Sequence, residues 1–133
     1  MITKRSILYA VAAIAVATLG ACANPLKSST PEETTVARAQ ARWDAVLKGD
    51  QKKAYTYLTP EVRKTLTEEA YLKQARPTAA HQIKALRADC ESAECMVVVE
   101  FTAKTGRRDL PPEITTSYRE RWVRDQGQWW FKP

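Results

Sequence analysis

Two carboxylates, Glu100 and Glu120, stand where the surrounding pattern would place apolar side chains. A carboxylate in an apolar pocket has a raised pKa and can serve as a general acid or base near neutral pH. Tyr55, Tyr57 and Tyr118 are hydrogen-bond donors available to such a site, and Trp43, Trp122, Trp129 and Trp130 could wall it. A plainer reading has both glutamates pairing with Arg119, Arg121 or Arg124 on an open sheet face. That reading is favoured, because charged side chains are seldom buried without partners. The tryptophans likewise suit a core or an oligomer face better than a ligand wall. His81 is the sole histidine, and nothing converges with it to bind a metal. It is expected at the surface or at a strand end. No glycine-rich loop or metal-ligand cluster is present, so no cofactor is expected.

The elements that must position these residues are marked by punctuation. Thr30-Pro31-Glu32-Glu33 is a helix start, with a capping threonine, proline in the first turn and a capping-box glutamate. Val36, Ala39, Trp43, Val46 and Leu47 follow at helical spacing, with Arg38, Arg42 and Lys48 set between them as the polar face. Gly49 ends this helix and Asp50 caps a second one, roughly residues 51 to 58. Thr59-Pro60-Glu61 caps a third helix and Thr67-Glu68-Glu69 a fourth, which Arg76-Pro77 stops.

After Pro77 the period changes to two. Residues 81–90 and 95–104 read as strands, the second with Val97, Val99 and Phe101 on one face and Met96, Val98 and Glu100 on the other. A polar connection from Thr105 to Pro112 leads to a third strand, residues 114–124. There Ile114, Thr116, Tyr118, Glu120 and Trp122 share a face. Asp125-Gln126-Gly127 is a turn, and Trp129-Trp130-Phe131 a short last strand. Helices first and an antiparallel meander second predict an α+β domain over residues 31–133, with the helices on one face of a curved sheet.

The N-terminus carries an address. Lys4 and Arg5 precede an apolar, alanine-rich stretch from Ile7 to Thr18, the layout of a secretory signal. The uncharged run from Ser6 to Leu26 is also long enough to span a bilayer. Leu19-Gly20-Ala21-Cys22 resembles the bacterial lipobox, and a small-small-Cys end is not needed by a membrane anchor. The resemblance implies a signal peptide over residues 1–21 and lipidation of Cys22. Several acyl chains on one residue anchor stably, where one is marginal. Residues 22–30 then form a lipidated tether. Ala23 after the cysteine resembles the signal for outer-membrane delivery, facing the periplasm. With Cys22 lipidated, the three cysteines leave one pair, Cys90 and Cys95, in an oxidising compartment. Their spacing is too long for a CxxC redox motif and suits closure of a hairpin.

Two further features carry a resemblance. A long capped helix ends in Gly49-Asp50 and is followed by Ala54-Tyr55-x-Tyr57-Leu58-x-Pro60-x-x-Arg63. A closing hairpin reads Arg121-Trp122-Val123-Arg124-Asp125-x-Gly127-x-Trp129-Trp130. Together they resemble the nuclear-transport-factor-like cone fold, which includes ketosteroid isomerase. The resemblance implies a cleft between the long helix and the sheet, lined by Trp43, Tyr55, Glu100, Tyr118 and Glu120. The isomerase's catalytic aspartate and oxyanion-stabilising pair match no positions here.

Of 133 residues, 44% are apolar and 27% charged, which suits one packed domain and excludes global disorder. Losing Lys4 and Arg5 with the signal leaves 19 basic residues against 15 acidic, a net of +4 with both signs interspersed. Nucleic-acid binding is therefore not expected. The expected function is a non-enzymatic binding or assembly module tethered to the envelope membrane. Its partner would be an envelope protein or a small apolar ligand, and a homodimer fits as well. The competing expectations are a small isomerase or dehydratase using a pocket carboxylate, and a structural subunit of an envelope complex.

Overall fold

The computed structural model describes residues 28–133. The signal peptide, Cys22 and most of the tether lie outside the described residues. Among the described residues, no helix is long and apolar enough to cross a membrane.

Four helices precede four strands: α1 (Pro31–Leu47), α2 (Gln51–Tyr55), α3 (Pro60–Thr65), α4 (Glu68–Gln74), β1 (Ala80–Glu91), β2 (Glu94–Lys104), β3 (Glu113–Asp125) and β4 (Gln128–Lys132). The strands form one antiparallel sheet in the order β1-β2-β3-β4. The protein is an α+β domain with its long helix packed on one face of a curved sheet.

Local chemistry explains the helix ends. Glu33 N–H donates to Thr30 Oγ1 at 3.1 Å, and Thr30 N–H donates to Glu33 Oε2 at 3.2 Å, which satisfies two amides left free by the first turn. Gly49 adopts φ 76°, so the Asp50 N–H can reach back to Ala45 O at 2.8 Å. Asp50, Thr59 and Thr67 cap α2, α3 and α4 in turn. α2 stops at Tyr55, three residues before the expected end. Residues 57–59 are drawn into the sheet instead: Phe131 N–H donates to Tyr57 O, and Thr59 N–H to Phe131 O.

The face that α1 lays on the sheet is Thr35, Ala39, Arg42 and Ala45. Three of these are small, which lets the helix lie close to the strands. Beneath it sit Ile83, Val97, Val99, Trp122 and Trp129, all buried. Cys90 and Cys95 face each other at the neck of the β1–β2 hairpin, Cα atoms 4.0 Å apart, and their sulfurs are bonded. Cys95 is fully buried, with its Sγ 3.4 Å from Thr35 Oγ1, so the disulfide joins the hairpin neck to the first turns of α1.

Candidate functional site

β3 supplies the centre of the site. Glu120 pairs with Val97 in the ladder and so shares the helix-facing side of the sheet with Tyr118 and Trp122. Directly above lie Arg42 and Trp43 of α1. Trp43 Nε1 donates to Glu120 Oε1 at 3.0 Å, and Arg42 Nη1 lies 3.4 Å from Oε2. Both members of this ion pair are shut away from water, with side chains 8% and 1% exposed. The guanidinium also stacks on aromatic faces, 3.9 Å from the Phe131 centroid and 4.6 Å from that of Trp43. Arg42 Nε and Trp122 Nε1 are buried without hydrogen-bond partners.

These contacts set the electrostatics. Burial pushes the Glu120 carboxyl above its ordinary pKa, while the Arg42 charge and the N–H and O–H dipoles of Trp43, Trp122 and Tyr118 pull it back in part. The Tyr118 hydroxyl is held well above the usual phenol range, first by burial and then by the neighbouring carboxylate. Burial and the Arg42 charge therefore oppose one another at this carboxyl, and burial is the larger of the two.

Trp43, Phe101 and Tyr118 close the space around this acid. Trp43 meets Phe101 edge-on at 4.9 Å and Tyr118 at 6.3 Å, while Phe101 and Tyr118 stack at 4.9 Å. The Glu120 side chain between them is 1% exposed. Two recesses lie elsewhere, and neither is lined by Glu100 or Glu120. One, of 350 Å³, sits between the C-terminal end of α1, α4 and the entry to β1, with Val46, Leu47, Leu72 and Pro77 on its walls. The other, of 1080 Å³, lies along the β1–β2 turn beside Glu32, Asp89, Glu94 and Arg119.

Of the five residues expected in a cleft, the fold brings three together: Trp43, Tyr118 and Glu120. Tyr55 is elsewhere, donating to Leu66 O at 2.8 Å and packing on Tyr71, where it ties α2 to α4. Glu100 points to the opposite face of the sheet, at a position paired with Lys84 and Ser117. The expected partners of Glu120 also need correction. Arg119 reaches Asp89 and Arg121 reaches Glu94 on the outer face, whereas the buried acid takes Arg42 from the helix. The helical spacing of the apolar residues sets Arg42 between them, outside the expected core face. Its place seven residues after Thr35 and three after Ala39 puts it on the buried stripe, and that spacing was the available signal. His81 stands near the start of β1, half-exposed, 3.1 Å from Glu113. Trp122 and Trp129 are core residues, and Trp130 lies between the Arg38 and Arg63 guanidinium groups at 5.5 and 5.2 Å.

What this arrangement defines is an α+β domain with a buried acid paired to an arginine of its long helix. No protein-family model matches the sequence, and no curated protein does. Solved structures with a similar chain path include a SEC-C-motif-containing protein from Rhodopseudomonas palustris. It is 18% identical, with 73% of each chain covered and a TM-score of 0.54. A protein described as an NTF2-like transpeptidase from Campylobacter jejuni is 12% identical, covering 71% of this chain and 94% of its own, with a TM-score of 0.48. The first likeness is one of fold alone.

Proposed function

We propose that this protein is a lipid-tethered periplasmic module of the cell envelope, built on a nuclear-transport-factor-like cone. It binds or assembles with an envelope partner rather than catalysing a reaction. The lipobox-like Leu19-Gly20-Ala21-Cys22 motivates the tether and the outer-membrane location. One observation carries the choice of module over enzyme: the interior acid is closed in. Glu120 is ion-paired to Arg42 and hydrogen-bonded to Trp43, and neither recess reaches it. A general acid must touch its substrate, and the side chain of this one is 1% exposed.

The isomerase or dehydratase reading keeps one supporting observation, the raised pKa of Glu120 beside the half-exposed Tyr118. Complementation of a deletion strain separates the two. A tethered module predicts that Glu120→Gln restores the envelope phenotype, since the amide keeps the shape, and that Cys22→Ser does not. An enzyme predicts failure of Glu120→Gln at normal protein levels, and that result would overturn the proposal.

A further inference from the structure

Ten arginines lie among the described residues. Seven are exposed, and water serves as their partner; Arg38, Arg42 and Arg63 are partly or wholly withdrawn from it. A guanidinium taken from water ordinarily meets a carboxylate. Arg42 has Glu120. Arg38 and Arg63 have none, since neither takes part in any ion pair among the described residues. Glu61, the acid nearest to Arg63 along the chain, turns to Lys132 instead. All 15 acidic residues of the sequence fall within the described part, so residues 1–27 hold no carboxylate to supply the missing charge.

The two arginines come from different elements, α1 and α3, and converge on one indole of β4. Their guanidinium carbons lie 5.5 and 5.2 Å from the Trp130 centroid, and that of Arg38 also lies 5.0 Å from the Tyr57 centroid. Trp130 is itself held, its Nε1 donating to Asp125 O at 3.2 Å. Stacking on aromatic faces steadies both side chains and leaves the N–H edges to find acceptors elsewhere. Each guanidinium carries five N–H donors. Arg38 gives one, from Nε, to Trp129 O at 2.7 Å. Arg63 gives none, and its Nε is buried without an acceptor. Burial draws the Arg38 guanidinium below its ordinary pKa, with Tyr57 opposing in part, and the group stays charged at neutral pH.

We propose that Arg38, Arg63 and Trp130 form a binding site for a phosphoryl ligand, a phosphomonoester or a diphosphate, whose oxygens bridge the two guanidinium edges. The charge count selects that chemistry. A phosphomonoester carries about −1.5 to −2 charge at neutral pH and three acceptor oxygens, which answers two cations. A carboxylate has a single charge and would leave one arginine unanswered. Arginine forks also match phosphate oxygens in geometry. The site is remote from the Glu120 interior and does not rest on the lipid tether.

The test uses the full chain extracted in a nonionic detergent. Heteronuclear NMR follows the Nε–H signals of Arg38 and Arg63 and the indole N–H of Trp130 as inorganic pyrophosphate is added. These three should shift together and saturate, while the Trp43 indole stays in place. Arg38→Gln and Arg63→Gln should each weaken binding about tenfold or more. Arg87→Gln and Arg108→Gln remove the same charge from exposed sites and should weaken it by less than about twofold. Circular dichroism checks that each variant is folded. Mixed micelles containing phosphatidic acid, set against phosphatidylcholine, identify the source of the phosphate. Phosphatidic acid that shifts the same signals and competes with pyrophosphate makes the ligand a lipid headgroup. Pyrophosphate binding that phosphatidic acid does not disturb makes it a soluble phosphate compound. No shift with either probe, or an equal loss in all four variants, would overturn the site.

Discussion

Replacing Arg42 by methionine tests the interior ion pair most severely. Methionine keeps an aliphatic stem and removes the charge together with the guanidinium that stacks on Phe131 and Trp43. Glu120, with a side chain 1% exposed, then has neither a counter-charge nor water. Removing one partner of a buried pair costs about 3–5 kcal/mol, from a total of about 5–15 kcal/mol for a small domain. The loss should depend on pH in a fixed direction. Burial already holds the folded pKa of Glu120 above its ordinary value, so the fold favours the protonated acid. The stability this contributes is present in full below the unfolded pKa, about 4.3, and is lost as pH rises through the folded value. Without the Arg42 attraction the folded pKa climbs further and the window widens. Urea titrations followed by tryptophan fluorescence should show Arg42→Met deficient at pH 8 and much closer to wild type at pH 5. Adding Glu120→Gln removes the titrating group and should restore most of the loss, a coupling of about 1–3 kcal/mol. The reasoning fails if Arg42→Met melts like wild type at pH 8, if its deficit is independent of pH, or if the double variant is no better than the single.

Trp122→Ala empties the centre of the core and should cost about 3–5 kcal/mol, whereas the partly buried Trp43 should cost less when trimmed to alanine. Thermal melts of the two variants should preserve that order. Cys90→Ser opens a short loop within an otherwise intact hairpin and should lower stability by about 1–3 kcal/mol. Non-reducing peptide mapping of exported material should recover Cys90 joined to Cys95, and full labelling of both thiols without reductant would contradict it.

The helix starts are legible because each is written in local chemistry: Thr30, Asp50, Thr59 and Thr67 cap them, and Gly49 ends α1. The end of α2 at Tyr55 is set instead by the pairing of residues 57–59 with β4, which no local signal marks. The order and direction of the strands followed from alternation and from two tight turns. The two glutamates were harder. Met96 and Val98 make the second face of β2 as apolar as the first, so alternation alone could not say which face the helix covers. Only the pairing of Val97 with Glu120 places Glu120 inside, and Glu100, a residue of opposite parity, outside. Arg42 was hidden for a different reason. An arginine on a helix is ordinarily a solvated residue, and its burial depends on an acid 78 residues away in the chain. The role of Tyr55 rests on a carbonyl at Leu66 in a bend that no periodicity announces.

Carboxyl labelling tests the closed interior most directly. The folded chain is treated with a carbodiimide and an excess of a small amine, and each carboxylate is read by peptide mass spectrometry. Glu61, with a side chain 81% exposed, reports full reaction. A filled cone predicts that Glu120 stays unmodified while Glu61 is consumed, and that it reacts once urea unfolds the domain. Labelling of Glu120 in the folded chain at a rate comparable to Glu61 would mean that small molecules reach the acid, and it would contradict the account.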